Sequence, residues 1–180
     1  MSKPKFRFTV LCEDKNHYYF IKSYLECKYS SGHGSFRLKI SPEGKGSAEQ
    51  YVRDNFAEEV KNHRKYGNVL IVVTDADNYT FDERLQTLNQ TLTKNLYKQL
   101  SKDDKIIVLI PARNIETWFR YADNPEDCNE NKDYKQEYDE EVTPKQYGAK
   151  YAKGNIFCNG SLKALQKACK ELNRLKKLLS

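Results

Sequence analysis

The sequence predicts an α/β fold, a mostly parallel central sheet with helices on both faces. Three observations carry this. Short apolar runs rich in Val and Ile alternate with longer segments whose apolar residues recur every three or four positions. The order reads strand-helix-strand-helix-strand-helix-strand, the pattern of parallel strands joined by crossover helices. Two of the helical segments open with capping boxes, Ser47-Ala-Glu-Gln50 and Thr80-Phe-Asp-Glu83.

The first strand covers about residues 5–12 and ends on Glu13. A helix follows near 15–27, with Phe20, Ile21, Tyr24 and Leu25 on one side. Ser30-Ser-Gly-His-Gly34 is a turn, Ser35–Ile40 a short alternating strand, and Ser41-Pro-Glu-Gly-Lys-Gly46 a loop. The helix opened by Ser47 carries Val52, Phe56 and Val60, and Gly67 stands at the expected C-cap. Asn68–Thr74 is the third strand. After Thr80, Leu85, Leu88, Leu92, Leu96 and Leu100 fall at helical spacing. Lys105–Ile110 is the fourth strand. Residues 123–150 are polar, acidic and weakly periodic, which reads as an inserted loop. Ser161 caps a last helix, with Leu162, Leu165, Cys169, Leu172, Leu175 and Leu179 inward. Trp118 is expected to pack a helix on the sheet.

At 180 residues the chain is read as one domain: a core of about 5–120, an acidic insert of about 122–150 and a basic helix of about 161–179. Its 31% charged and 38% apolar residues suit a soluble globular protein. No apolar run is long enough for a membrane span, and Met-Ser-Lys-Pro-Lys-Phe-Arg lacks the apolar segment of a signal peptide. Five cysteines without a Cys-x-x-Cys argue against a disulfide framework and against a zinc site, so a reducing cytoplasm is expected. Net charge is uneven. Residues 122–141 hold nine Asp/Glu against Lys132 and Lys135, a net −7, which leaves +13 on the rest of a chain whose total is +6. A basic body fits a nucleic-acid partner, and an ordinary solvated lysine surface fits equally.

The candidate chemistry lies at strand ends. Asp75 and Asp77 follow the third strand, Glu13 the first, and Glu116 lies in Pro111-Ala-Arg-Asn-Ile-Glu116 after the fourth. In an open parallel sheet these ends converge on one crevice. Clustered carboxylates repel one another, and hard oxygen ligands suit Mg²⁺ or Mn²⁺, so Glu13, Asp75 and Asp77 are candidate metal ligands. Asp-Ala-Asp-Asn is also ordinary turn and cap chemistry, and Glu116 also suits a helix N-terminus. Arg113 could clamp a phosphate or pair with a carboxylate. Lys163, Lys167, Lys170, Arg174 and Lys177 form one stripe of the last helix, either a track for a phosphate backbone or a solvated face. Gly44-Lys-Gly-Ser47 fails the phosphate-loop spacing. His17, His33 and His63 show no metal-ligand pairing; His17 lies near Glu13 and could assist it. Tyr18, Tyr19 and Tyr79 flank the proposed crevice, as base-stacking surfaces or as packing.

Val10-Leu-Cys-Glu13 after the first strand and Val72-Val-Thr-Asp-Ala-Asp77 after the third resemble the Toprim fold, a Rossmann-like arrangement found in topoisomerases, bacterial primases and nucleases of the overcoming-lysogenisation-defect kind. Ile110-Pro-Ala-Arg-Asn-Ile-Glu-Thr-Trp118 resembles small stand-alone RloB-like Toprim proteins seen with phage-defence systems. The resemblance covers about residues 5–120. It implies Mg²⁺-dependent phosphodiester chemistry, with Glu13 as general acid/base or metal ligand and Asp75 and Asp77 as metal ligands. The topoisomerase pattern continues Asp-x-Asp-x-Glu, but Tyr79 stands where that Glu would be. This departure favours the nuclease branch, with Glu116 as a replacement carboxylate, and equally suits a non-catalytic module that binds nucleic acid or a protein such as a defence ATPase. A phosphotransfer receiver would need a lysine late in the sheet, and Lys105 starts its strand. Self-association stays open.

Overall fold

The computed structural model describes residues 6–29, 34–42, 46–138 and 142–179. His33 and most of its turn, Gly44 and Lys45, and Asp139, Glu140 and Glu141 lie outside them. Four strands, β1 (Phe6–Cys12), β2 (Gly34–Lys39), β3 (Val69–Val73) and β4 (Ile106–Leu109), form an all-parallel sheet in the order β2-β1-β3-β4. The helices are α1 (Lys15–Tyr29), α2 (Ala48–Tyr66), α3 (Phe81–Lys94), α4 (Glu116–Asp123), α5 (Val142–Gly154), α6 (Ile156–Asn159) and α7 (Lys163–Leu179).

Strand side chains alternate between two cores, as the pleat requires. Phe8, Val10, Cys12, Val69, Ile71, Val73, Ile107 and Leu109 face a core completed by α1, α4, α5, α6 and α7. Leu11, Leu70, Val72, Ile106, Val108 and Ile110 face a second core completed by α2 and α3. Helices therefore cover both faces, and the fold is Rossmann-like. Both faces of β3 and β4 are buried, which explains why their sequences are continuous apolar runs.

Helix starts follow the sequence signals. Ser47 accepts from the Gln50 amide at 3.2 Å, Thr80 and Glu83 form the reciprocal box, and Gly67 closes α2 at φ 67°. Four expectations are corrected. The leucine stripe does not continue to Leu100, because α3 stops at Lys94. Leu96 adopts φ 59°, and the Tyr97 amide bonds back to the Leu92 carbonyl, a Schellman-type stop built without glycine. The insert is not all loop: α5 is helical and packs on α1, with Gly148 at the contact. A side chain at Gly148 would overlap the Phe20 carbonyl and come within 2.9 Å of Ser23 Cβ. Tyr151 and Phe157 then join Phe20 and Trp118 in an aromatic cluster with ring centroids 4.8–6.5 Å apart. Ser161 bonds through its hydroxyl to Tyr121, and the Ala164 amide in the first turn of α7 is taken by Glu130. Finally, Cys158 and Cys169 are joined by a disulfide, with Cα atoms 5.0 Å apart, whereas the cysteine count argued against a disulfide framework. Among the described residues no helix is long and apolar enough to cross a membrane.

Candidate active site at the sheet switch point

The chain leaves β1 toward one edge of the sheet and β3 toward the other, so their adjacent C-terminal ends form a switch point. Cys12 pairs in register with Val73, which places Glu13 beside Thr74 and Asp75. Glu13 Oε1 accepts from the Thr74 hydroxyl at 2.5 Å and from the Asp75 amide at 2.8 Å. Both recorded bonds fall on Oε1, leaving Oε2 without one among the described residues.

Asp75 is buried at 2% exposure. Its Oδ1 lies 2.9 Å from Nε2 of His17, whose Nδ1 lies 2.8 Å from Asp14 Oδ1. The His17 ring is fully buried between two carboxylates. Burial alone would lower its pKa, but Asp14 and Asp75 raise it well above 6.5, so at neutral pH both ring nitrogens donate. Asp14 responds in the opposite sense: burial opposes its ionisation, but the His17 charge and hydrogen bonds hold it below the usual carboxylate range.

Glu116, the first residue of α4, completes the crevice. Its Oε1 receives Asn16 Nδ2 at 3.4 Å, and its buried Oε2 has no hydrogen-bond partner. It is therefore both a first-turn helix residue and a member of the cluster. Burial pushes its carboxyl up, and Asp75 adds to this. Burial and Asp75 likewise push Glu13 up.

The insert contributes Lys135. Buried Asn114 donates to Asp133 Oδ1 at 2.7 Å, and the same oxygen accepts the Lys135 amide at 2.9 Å. This fixes the Lys135 ammonium 4.0 Å from Asp75 Oδ2. Burial opposes its charge, but Asp75, Glu116 and Asp77 outweigh that and raise its pKa. Lys135 and Asp14 did not stand out in sequence, and His17 did so only as a neighbour that could assist Glu13, not as the partner of Asp14 and Asp75. A Glu-Asp-x-x-His run opening a helix, beside a strand-end aspartate, was the available signal for the pair. Nothing periodic marked Lys135.

Asp77 and Arg113 sit on facing loops. The Ala76 amide bonds to the Pro111 carbonyl at 2.9 Å and the Asp77 amide to the Arg113 carbonyl at 3.0 Å. Both residues have positive φ, 53° and 62°, a strained conformation of the kind that concentrates at functional sites. The Asp77 carboxylate turns to Arg84, 3.0 Å away, which also holds Glu49 at 2.7 Å. Burial and Asp75 still raise the Asp77 pKa against the pull of Arg84. Arg113 donates to Asn78 Oδ1.

The expected basic residues divide. Lys163 and Lys167 line a cavity of ≈ 700 Å³ together with Asp77 and Arg113. Lys167 pairs with Asp82 at 2.7 Å. Lys170 lies along a separate groove beside Leu85 and Leu100. Arg174 is turned into the fold, donating to the carbonyls of Lys102, Asp104 and Ile106 and to Glu171.

The structure thus gathers Glu13, Asp75 and Glu116, with Asp77 at the margin. Among the described residues, no group of three or more His, Cys, Asp or Glu side chains is drawn close enough to hold a metal ion. The donor chemistry nonetheless suits a hard cation. Glu13 retains an unbonded oxygen, Glu116 a buried unpartnered one, and Asp77 is 44% exposed. No protein-family model matches the chain, and neither a curated protein nor a solved structure matches it.

Proposed function

We propose that the chain is a Toprim-like nuclease that hydrolyses phosphodiester bonds of nucleic acid with Mg²⁺ or Mn²⁺. The observation that carries the reading is the convergence of Glu13, Asp75 and Glu116 on the switch point of a parallel sheet. Glu13, Asp75 and Asp77 would hold the ion, with Glu116 beside them. When bound there, such an ion supplies Lewis acidity to a phosphate and a more acidic water. The protein's own residues do the rest. His17, pinned by Asp14, fixes the orientation of Asp75, as outer groups orient metal ligands elsewhere. Lys135 offers its ammonium to a non-bridging phosphate oxygen. The resemblance also allows Glu13 to act as general base instead of ligand, taking the proton of the attacking water on its one unbonded oxygen. A role in phage defence rests on the resemblance alone.

A second reading has its own support. His17, Lys135 and Arg84 already compensate the carboxylates within the chain. A Toprim-like module without catalysis, binding nucleic acid or a protein such as an ATPase, needs nothing more.

The deciding experiment incubates end-labelled DNA and RNA with the protein in Mg²⁺, Mn²⁺ or EDTA. The nuclease reading expects metal-dependent cleavage that disappears in Glu13→Gln and Asp75→Asn. No cleavage with either metal leaves the binding module, and cleavage that survives both substitutions overturns the assignment of catalysis to this crevice.

A further inference from the structure

We infer that the ≈ 700 Å³ cavity beside Asp77 takes one unpaired nucleotide of a single-stranded nucleic acid, its base stacked on Tyr79 and its phosphate held by Arg113 and Lys163. The inference deepens the phosphodiesterase reading by naming its substrate class. The cavity shares Asp77 with the carboxylate crevice, so its occupant lies next to the bond that would be cut. The volume falls within the range of sites that enclose small ligands.

Tyr79 supplies the stacking surface. Its side chain is 59% exposed; among the described residues only Tyr66 and Leu96 are other large apolar side chains so exposed, and neither lines this cavity. The ring is braced by the Arg84 guanidinium 4.9 Å from its centroid. That guanidinium is itself fixed by Glu49 and Asp77. A rigid, open aromatic on a cation is a platform that any base can use.

Charge balance decides where the phosphate goes. The cavity wall contains three carboxylates, and each has a partner: Asp77 with Arg84, Asp82 with Lys167, Glu130 with the Ala164 amide. The N-terminus of α3 is closed by its own Glu83, and the Ala164 amide of α7 by Glu130, so backbone amides are not the anion receptors here. Arg113 donates to a neutral amide and, although Asp77 and Asp133 lie within reach of its charge, forms no ion pair among the described residues. Lys163 is exposed and has no ion-pair partner among the described residues. Arg113, Lys163 and one aromatic thus face a space large enough to admit a nucleotide. A base inside a duplex would have to leave its stack to reach Tyr79, so a single strand is favoured.

The test is fluorescence anisotropy in EDTA, where binding is read apart from cleavage. The probes are a labelled oligothymidylate of about ten nucleotides, within ordinary single-strand site sizes, and a duplex of the same length. The single strand is expected to bind about tenfold or more tightly than the duplex. Tyr79→Ala should weaken single-strand binding about tenfold, in the range of one lost base stack. Tyr79→Phe should leave it unchanged. Arg113→Ala and Lys163→Ala should each flatten the salt dependence by about one unit of slope. Equal binding of duplex and single strand, an unaltered Tyr79→Ala, or a Tyr79→Phe as weak as Tyr79→Ala would overturn the inference. Tight single-strand binding that depends on Tyr79, without cleavage in Mg²⁺, overturns only the nuclease reading. Cleavage of duplex with no response to Tyr79→Ala overturns only this inference.

Discussion

Replacing His17 by leucine is the most informative perturbation of the crevice. The imidazolium is fully buried and bridges Asp14 and Asp75 at 2.8 and 2.9 Å. Leucine fills comparable space but leaves Asp75, at 2% exposure, as a buried carboxylate that has lost its closest cation. Removing one partner of a buried ion pair costs about 3–5 kcal/mol. The Asp14 contact adds little, because that carboxylate is 48% exposed and water screens it. For a chain of this size each kcal/mol shifts Tm by about 2–4 °C, so a fall of about 6–20 °C is expected. The assay is thermal and urea unfolding in EDTA at neutral pH, for His17→Leu, Asp75→Asn and the double variant. Most of the cost is the orphaned charge, so the double variant should lose less than the sum of the singles, by at least about 1 kcal/mol. A His17→Leu cost below about 1 kcal/mol, or additive singles, would refute the account of His17 as the cation that holds Asp75.

Three further outcomes follow from the same geometry. Glu13, Glu116 and His17 all have folded pKa values raised above their ordinary ones. Their stabilising contribution is complete below the unfolded values, about 4.3 for the glutamates and about 6.5 for histidine, and is lost as pH rises through the folded values. Asp14, held low, contributes the opposite sign only below about pH 4. His63, whose pKa burial lowers, adds the opposite slope in the same window, so in a His63→Gln background metal-free unfolding free energy should fall from pH 5 to pH 8, and a rise there in urea titrations would contradict these shifts. Arg174→Ala should destabilise by about 2–3 kcal/mol, since a charged donor to three backbone carbonyls is removed, while leaving the salt slope of nucleic-acid binding unchanged. Gly148→Val should cost about 1–3 kcal/mol through overpacking of α5 on α1, read by urea unfolding; a neutral result would mean the two helices separate freely.

Much of the fold was legible because local signals and tertiary burial agree. The runs at 69–73 and 106–109 are buried on both faces and so are unbroken in sequence, and the Thr80–Glu83 box makes both of its bonds. Where the two levels part, sequence reading fails. Leu96 has the right spacing for α3, but the chain turns at Asn95, and Leu96 ends 93% exposed. The α5 helix escaped notice because its contact face is built from Gly148, Tyr147 and Tyr151 instead of aliphatic residues at helical spacing. Cys158 and Cys169 are paired only by the fold-back of α6 on α7.

In the crevice, strand-end placement located Glu13 and Asp75, since register alone brings those positions together, while Glu116 arrives through the loop after β4 that opens α4. Strand-end placement said nothing of where Asp77 would point. That depends on Arg84, seven residues on, whose guanidinium competes for the same carboxylate. Lys135 was hidden for a related reason. Its loop has no periodicity, and its position comes from one buried amide, Asn114, gripping Asp133.

The most direct test of the central claim is a calorimetric titration of Mn²⁺ into the metal-free protein at neutral pH, alongside Glu13→Gln and Asp75→Asn. The account predicts saturable binding by the native chain that is lost in both variants. No heat above dilution, or equal binding by the native chain and the variants, would contradict it.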